Sequence, residues 1–358
     1  MVNQNPLGDV LSARSRTNLG ACGRVMKWFL PRNLVLALVL CVLLGASSTA
    51  SAQQASPSAS AASGDFAQRV DIGGRSLYLE CRGTGSPTVV LEAGYRGSAR
   101  TWTDDLVEPD AQRTMVFAGV AGYTRVCAYD RPGTISSRGD NVLPSRSDAV
   151  PQPRTGTDAV ADLHTLLGAA GVPGPYVLAG QSLGGLFARL YASTYPDEVV
   201  GLVLVDPYSE RIESLLTPDQ WAALVRLNVE SGSDTVLPIP GYGDLETIGY
   251  GTQDPVIRQA AADTPLRAMP LAVLAHVRPF ALPTQADEVS SDTLERVFRA
   301  ANEWQATLVP NARFFAAHAS GHDIHQDQPA LVTEAIRQVV AGVRDADTWY
   351  DMTSCCVD

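Results

Sequence analysis

Lysine is almost missing from this chain. Among 27 basic residues in 358, Lys27 is the only lysine, and it lies in the N-terminal stretch. Chemistry that needs an amine side chain is therefore excluded from the rest: Schiff-base and pyridoxal catalysis, P-loop phosphate binding and serine–lysine dyads. Positive charge is in deficit too, with 38 acidic residues and a formal net charge of −11. No basic stripe stands out, so a nucleic-acid partner is not expected. Histidines number five and cysteines six, without the paired spacing of a metal site. No internal repeat is visible. The composition is otherwise that of a globular protein, 45% hydrophobic and 18% charged. The length allows two domains or one large α/β domain.

The first 52 residues read as a targeting segment. Arg24, Lys27 and Arg32 precede a twelve-residue apolar run at 34–45, and small residues follow, ending Ala50-Ser51-Ala52. This is a basic region, an apolar region and an Ala-x-Ala cleavage site. The run is short for a membrane span, which needs roughly 20 residues. An uncleaved N-terminal anchor is the alternative, and the start codon is Met1 or Met26. Residues 53–65 are rich in Ser and Ala and read as a flexible tether. Removing 1–52 leaves 22 basic and 37 acidic residues, a formal −15, and four cysteines: Cys81, Cys127, Cys355 and Cys356. Export permits disulfides.

From residue 66 onward short apolar runs alternate with helical patterns. Runs at 68–72 and 76–81 flank Gly73-Gly74, a hairpin signal. Buried strands are expected at 88–92, 124–129, 176–179, 200–205, 271–275 and 314–317. Helices are expected at 157–170, 183–195 and 331–343. Strands apolar on both faces, alternating with helices, imply a mostly parallel sheet covered on both sides. Residues 134–156 are polar, hold three prolines and read as a surface loop. Residues 207–268 separate two sheet strands by about 60 residues; an insertion that long is usually functional.

The strand at 176–179 runs into Gly180-Gln181-Ser182-Leu183-Gly184. Gly-x-Ser-x-Gly between a strand and a helix is a nucleophile elbow, with the serine oxygen exposed at a sharp turn. Ser182 needs a base. His322, in Ala319-Ser320-Gly321-His322-Asp323 after the last strand, stands at the carboxyl edge of the sheet, where α/β folds bind ligands. His318 and His325 are close rivals, His276 ends a strand, and His164 lies within a helix. The orienting carboxylate is expected at Asp206, directly after the strand at 200–205, with Asp287 next. Backbone donors for an oxyanion are expected at Leu183 and at Tyr95, in the loop 93–98.

These residues resemble the α/β-hydrolase-fold serine hydrolases, an esterase- and lipase-like group in its exported bacterial form. The order Ser182, Asp206, His322 is similar to that family's Ser…Asp/Glu…His order. Tyr129-Asp130-Arg131-Pro132-Gly133 resembles its loop after the fourth strand, and Gly321-His322 its histidine loop. The resemblance covers about residues 66–343. It implies an eight-stranded, mostly parallel sheet flanked by helices, with 207–268 as a cap insertion between strands 6 and 7. The hydrolase domain would span 66–344, followed by a tail at 345–358. Ala93-Gly94 replaces the family's frequent His-Gly, and Gln181 its frequent His; neither change removes a backbone donor. No acid follows the seventh strand, which fits members that carry the acid one strand earlier. The dehalogenases and epoxide hydrolases of this fold use a carboxylate nucleophile, which Ser182 excludes.

The resemblance also makes Cys81 and Cys127 neighbours, on the second and fourth strands, and so disulfide partners, with Cys355 and Cys356 as competitors. The implied activity is cleavage of a carboxylic ester through an acyl-enzyme. An amide or peptide hydrolase, or a non-catalytic ligand-binding member, is the alternative. The expected partner is a small-molecule ester or amide. No cofactor, metal or stable membrane span after processing is expected, and the location would be extracytoplasmic.

Overall fold

The computed structural model describes residues 64–138, 141–233, 244–279 and 289–350. The 1–52 targeting segment, Asp287, Cys355 and Cys356 lie outside them. The chain opens on β1 (Phe66–Asp71) and β2 (Ser76–Arg82), an antiparallel hairpin closed by Gly73 and Gly74 at φ 100° and 91°. Only glycine takes such angles freely. β3 (Thr88–Glu92) and β4 (Val126–Tyr129) follow, separated by α1 (Arg100–Thr103) and α2 (Val116–Ala121). After β5 (Ile135–Arg138) and β6 (Asn141–Pro144) come α3 (Gly156–Ala169), β7 (Tyr176–Gln181), α4 (Leu183–Thr194) and β8 (Val199–Val205). Among the described residues, three helices lie in the long insertion: α5 (Arg211–Leu215), α6 (Pro218–Ser233) and α7 (Tyr250–Asp263). β9 (Leu271–His276), α8 (Ser291–Gln305), β10 (Arg313–Ala317), α9 (Ile324–Asp327), α10 (Pro329–Arg344) and α11 (Ala346–Tyr350) complete the chain.

The main sheet has the order β1-β2-β4-β3-β7-β8-β9-β10. β2 pairs antiparallel with β1 and β4; every later pairing is parallel. Strand residues alternate between the two faces, the period of two that pleating imposes. Val90, Leu178, Leu202 and Val273 pack with α3 and α4 on one side. Val89, Ala179, Val203 and Leu274 pack with α2 and α10 on the other. Both faces are dry, so β3, β4, β7 and β9 are buried along their whole length. Cys81 and Cys127 are register partners on β2 and β4 and form a disulfide. No helix among the described residues is long and apolar enough to cross a membrane.

Two expectations need correction. Residues 134–156 are not simply a loop: β5 and β6 form a small antiparallel hairpin. Its first strand also supplies backbone partners to the turn after β3. Ile135 N–H donates to Arg96 O at 2.7 Å, and Ser98 N–H donates to Ile135 O at 3.0 Å. Residues 346–350 are not tail but helix, anchored by buried Trp349, whose carbonyl accepts from Arg313 Nη2 at 2.8 Å.

Candidate active site

β7 carries the chain up through the sheet centre and α4 carries it back, with Ser182 alone between them. Its backbone is at φ 52°, ψ −121°, a conformation costly for any residue with a Cβ. The crossing is tight. A Cβ on Gly180 would lie 2.3 Å from Gly184 O, and one on Gly184 would lie 2.4 Å from Glu92 O. Ser182 N–H donates to Val205 O at 3.0 Å, and Ser182 O accepts from Tyr208 N–H at 2.9 Å. The turn is thus pinned to the end of β8 and to the start of the insertion.

Asp206 follows β8 and is fully buried, also at positive φ (43°). Its Oδ2 accepts from His322 Nδ1 at 2.5 Å and from His276 Nδ1 at 2.7 Å. Its Oδ1 accepts from Asn302 Nδ2 at 2.9 Å and from His276 N–H at 3.3 Å. Burial pushes this carboxyl up, but the bonds from His276 and His322 outweigh burial and hold it below the usual carboxylate range. Burial likewise pulls His322 down, and the bond to Asp206 together with the negative charges of Asp206, Asp323 and Glu295 more than compensates, leaving it above an ordinary histidine. Gln181 ties the histidine loop to the elbow, its Nε2 donating to His322 O at 3.3 Å.

The loop 93–98 lies against the elbow. A Cβ on Gly94 would lie 2.2 Å from Gln181 Oε1 and 3.2 Å from Ser182 Cβ. That places Tyr95 N–H, the expected oxyanion donor, in the residue after this contact. Leu183, the other expected donor, is the first residue of α4. Its N–H is one of the four that a helix leaves without an internal acceptor.

The loop's own carbonyls are held from behind. Arg131 donates to Ala93 O at 2.8 Å and Gly94 O at 2.6 Å. The same guanidinium pairs with Glu92, and with Glu246 at 2.6 Å. Glu246 comes from the insertion and accepts Arg96 N–H at 2.6 Å.

The remaining histidines fall elsewhere. His318 is exposed. His325 is buried against Trp102, ring centroids 4.6 Å apart, and burial depresses it to about 4, so it is neutral at pH 7. His164 stacks on Tyr195 at 3.9 Å. Sequence spacing shows no metal cluster, yet Asp206, His276 and His322 bring three ligand atoms within 4.8 Å of one another. Both ring Nδ1 atoms address the same oxygen at hydrogen-bond distance, the arrangement of a shared proton network. Arg131, Glu246, Asn302 and Glu295 were not anticipated. Arg131 had a signal in its place beside Pro132-Gly133; Glu246, Asn302 and Glu295 had none locally.

The chain matches the family model described as "Alpha/beta hydrolase family" over residues 89–335, and it belongs to that family. The uncharacterized protein YqjL of Bacillus subtilis (strain 168) is 26% identical over 275 residues, 75% of this chain and 89% of that protein. A protein of Hormonema carpetanum named "Probable transporter efuK" is 24% identical over 76% of this chain. The match spans only 42% of that longer protein's length. Among solved structures, the haloalkane dehalogenase DatA of Agrobacterium tumefaciens C58 has a TM-score of 0.52 at 16% identity. It covers 78% of this chain and 97% of its own; at that identity the likeness concerns the fold alone.

Proposed function

We propose that this α/β hydrolase is an exported serine hydrolase that cleaves a carboxylic ester through an acyl-enzyme. One observation supports the reading: the residue before an elbow serine at positive φ, Gln181, bonds the backbone of a histidine that is itself hydrogen-bonded to a buried carboxylate. In this reading Ser182 Oγ attacks the ester carbonyl while its proton passes to His322 Nε2. Asp206 keeps the proton on His322 Nδ1, so Nε2 is the free base, and stabilises the imidazolium that forms. The tetrahedral oxyanion is received by the N–H groups of Tyr95 and Leu183. The carbon–oxygen bond to the alcohol then breaks, and the alcohol leaves with the proton from His322. Water repeats the sequence on the acyl-enzyme, releasing the acid and restoring Ser182. The insertion, whose Tyr208 bonds the elbow and whose Glu246 backs the loop 93–98, would shape the acyl or alcohol pocket. The Cys81–Cys127 disulfide supports an oxidising destination.

A p-nitrophenyl ester panel on the purified protein tests the activity. Short esters should be turned over and anilides should not, and Ser182→Ala should lower the rate at least about a thousand-fold. Fluorophosphonate labelling that persists in Ser182→Ala would remove Ser182 from the nucleophile's role.

A further inference from the structure

His276 ends β9 beside the end of β8, where the parallel register sets Val205 against Leu274 and Asp206 N–H donates to Leu274 O at 2.8 Å. Its side chain is 3% exposed. Both of its ring nitrogens face carboxylate oxygens. Nδ1 is 2.7 Å from Asp206 Oδ2, and Nε2 is 3.1 Å from Glu295 Oε2 on α8. An ionised carboxylate only accepts hydrogen bonds. A nitrogen that bonds to one must carry a proton, and two such nitrogens make an imidazolium. In the neutral ring one lone pair would face an oxygen. We infer that His276 is a positioning residue: its imidazolium, clamped between Asp206 and Glu295, sets the charge that Asp206 presents to His322. The inference rests on the proposed triad.

The groups around the clamp include Asn302, which is neutral and donates to Asp206 Oδ1, and His322 itself; on α8, Asp292, Arg296, Arg299 and Glu303 line a cavity together with Glu295. Asp323 adds a further negative charge near His322. The His276 and His322 rings meet edge-on with centroids 6.4 Å apart, while Glu295 bonds the nitrogen of His276 that points away from Asp206. Burial pulls His276 down, yet its bond to Asp206 and the negative charges of Asp206 and Glu295 together leave it above the ordinary histidine range. The consequence is directional. A positive charge on His276 weakens the hold of Asp206 on the His322 proton. His322 therefore becomes a free base at a lower pH than a lone Asp206 would permit.

Glu295→Gln tests this, because the amide can donate to Nε2 and so stabilise the neutral, Nδ1-protonated ring that still bonds Asp206. Removing the nearer positive charge together with the farther negative one should move the acid limb of kcat/KM upward by about half a pH unit. His276→Gln should move it the same way. A downward shift or none in Glu295→Gln would mean that His276 is neutral and Glu295 acts only as a negative charge, which overturns the inference. 15N-histidine NMR of the full chain, assigned with His276→Gln and His322→Gln, reads the same point without turnover. Both His276 nitrogens should be protonated at pH 7; a single protonated nitrogen overturns the inference. Failure of the hydrolase reading would show separately, as no ester turnover and no fluorophosphonate labelling of Ser182.

Discussion

Ser182 and Asp206 both sit at positive φ without being glycine. Each such residue costs of order 1–3 kcal/mol, and the surroundings must over-determine it. At Ser182 the Gly180–Gly184 contact and the bonds to Val205 and Tyr208 do so. At Asp206 a backbone bond to Leu274 and four side-chain bonds do so. Both residues stand at the carboxyl end of their strands, β7 and β8, which are neighbours in the sheet. Asp206→Asn should cut ester turnover by up to about ten-thousand-fold, because an amide favours the wrong imidazole tautomer. The pH dependence follows from the same bond. Since Asp206 holds the His322 proton more tightly than water does, the free base is lost as pH falls through a value above that of an ordinary histidine. The acid limb of kcat/KM should therefore lie above the ordinary histidine midpoint and move down in Asp206→Asn. A profile with no acid limb near neutrality would remove His322 from the base's role.

At the scale of elements, what the proposed mechanism requires is a rigid turn after β3. That turn belongs to three distant pieces of chain: Arg131 after β4, Ile135 on β5 and Glu246 in the insertion. Arg131 is buried, and two carboxylates, Glu92 and Glu246, compensate it. Removing one partner of a buried pair costs about 3–5 kcal/mol, because the charge that remains stays desolvated. Glu246→Gln should lose stability on that order. It should also lower kcat about tenfold or more while leaving KM nearly unchanged, since a loosened oxyanion loop harms the transition state more than the bound ester. An equal fall in kcat/KM carried by KM alone would place Glu246 in substrate binding instead.

β3, β4, β7, β8 and β9 were legible in the sequence because each is short, apolar on both faces and bounded by turn residues, β1 and β2 because they flank Gly73-Gly74, and β10 as a short apolar run. Ser182 was legible because its elbow is local, Asp206 because it follows β8 directly, and His322 because it lies in the loop after the last strand. Glu246 was not, since it meets Arg131 across 115 residues and its surroundings carry no period. Nor was α8, although Leu294, Val297, Phe298 and Ala301 line one buried side. The same helix delivers Asn302 and Glu295 to Asp206 and His276, contacts that arise only from docking.

For the whole molecule, the disulfide and the proposed export belong together. The bond joins β2 to β4, where Cys81 and Cys127 face each other with both side chains fully buried. It closes a loop with a sequence separation of 46. Without it, the β1–β2 hairpin would be held at the sheet edge by four register pairs to β4, by packing, and by bonds such as Ser76 N–H to Asp148 and Tyr78 N–H to Ser147. Loop closure of this size is worth roughly 2–4 kcal/mol, provided that the compartment is oxidising. The double variant Cys81→Ala/Cys127→Ala should therefore melt about 5–10 °C below the parent under non-reducing conditions. In reductant, once the buried bond is exposed by unfolding, the two transitions should converge. The secreted protein should begin near Gln53 by N-terminal sequencing. Denatured without reductant, it should yield no thiol at Cys81 or Cys127 on peptide mapping. Free thiols at both positions in secreted material would break the link between compartment and fold. A terminus that still carries residues 34–45 would make the chain anchored rather than released.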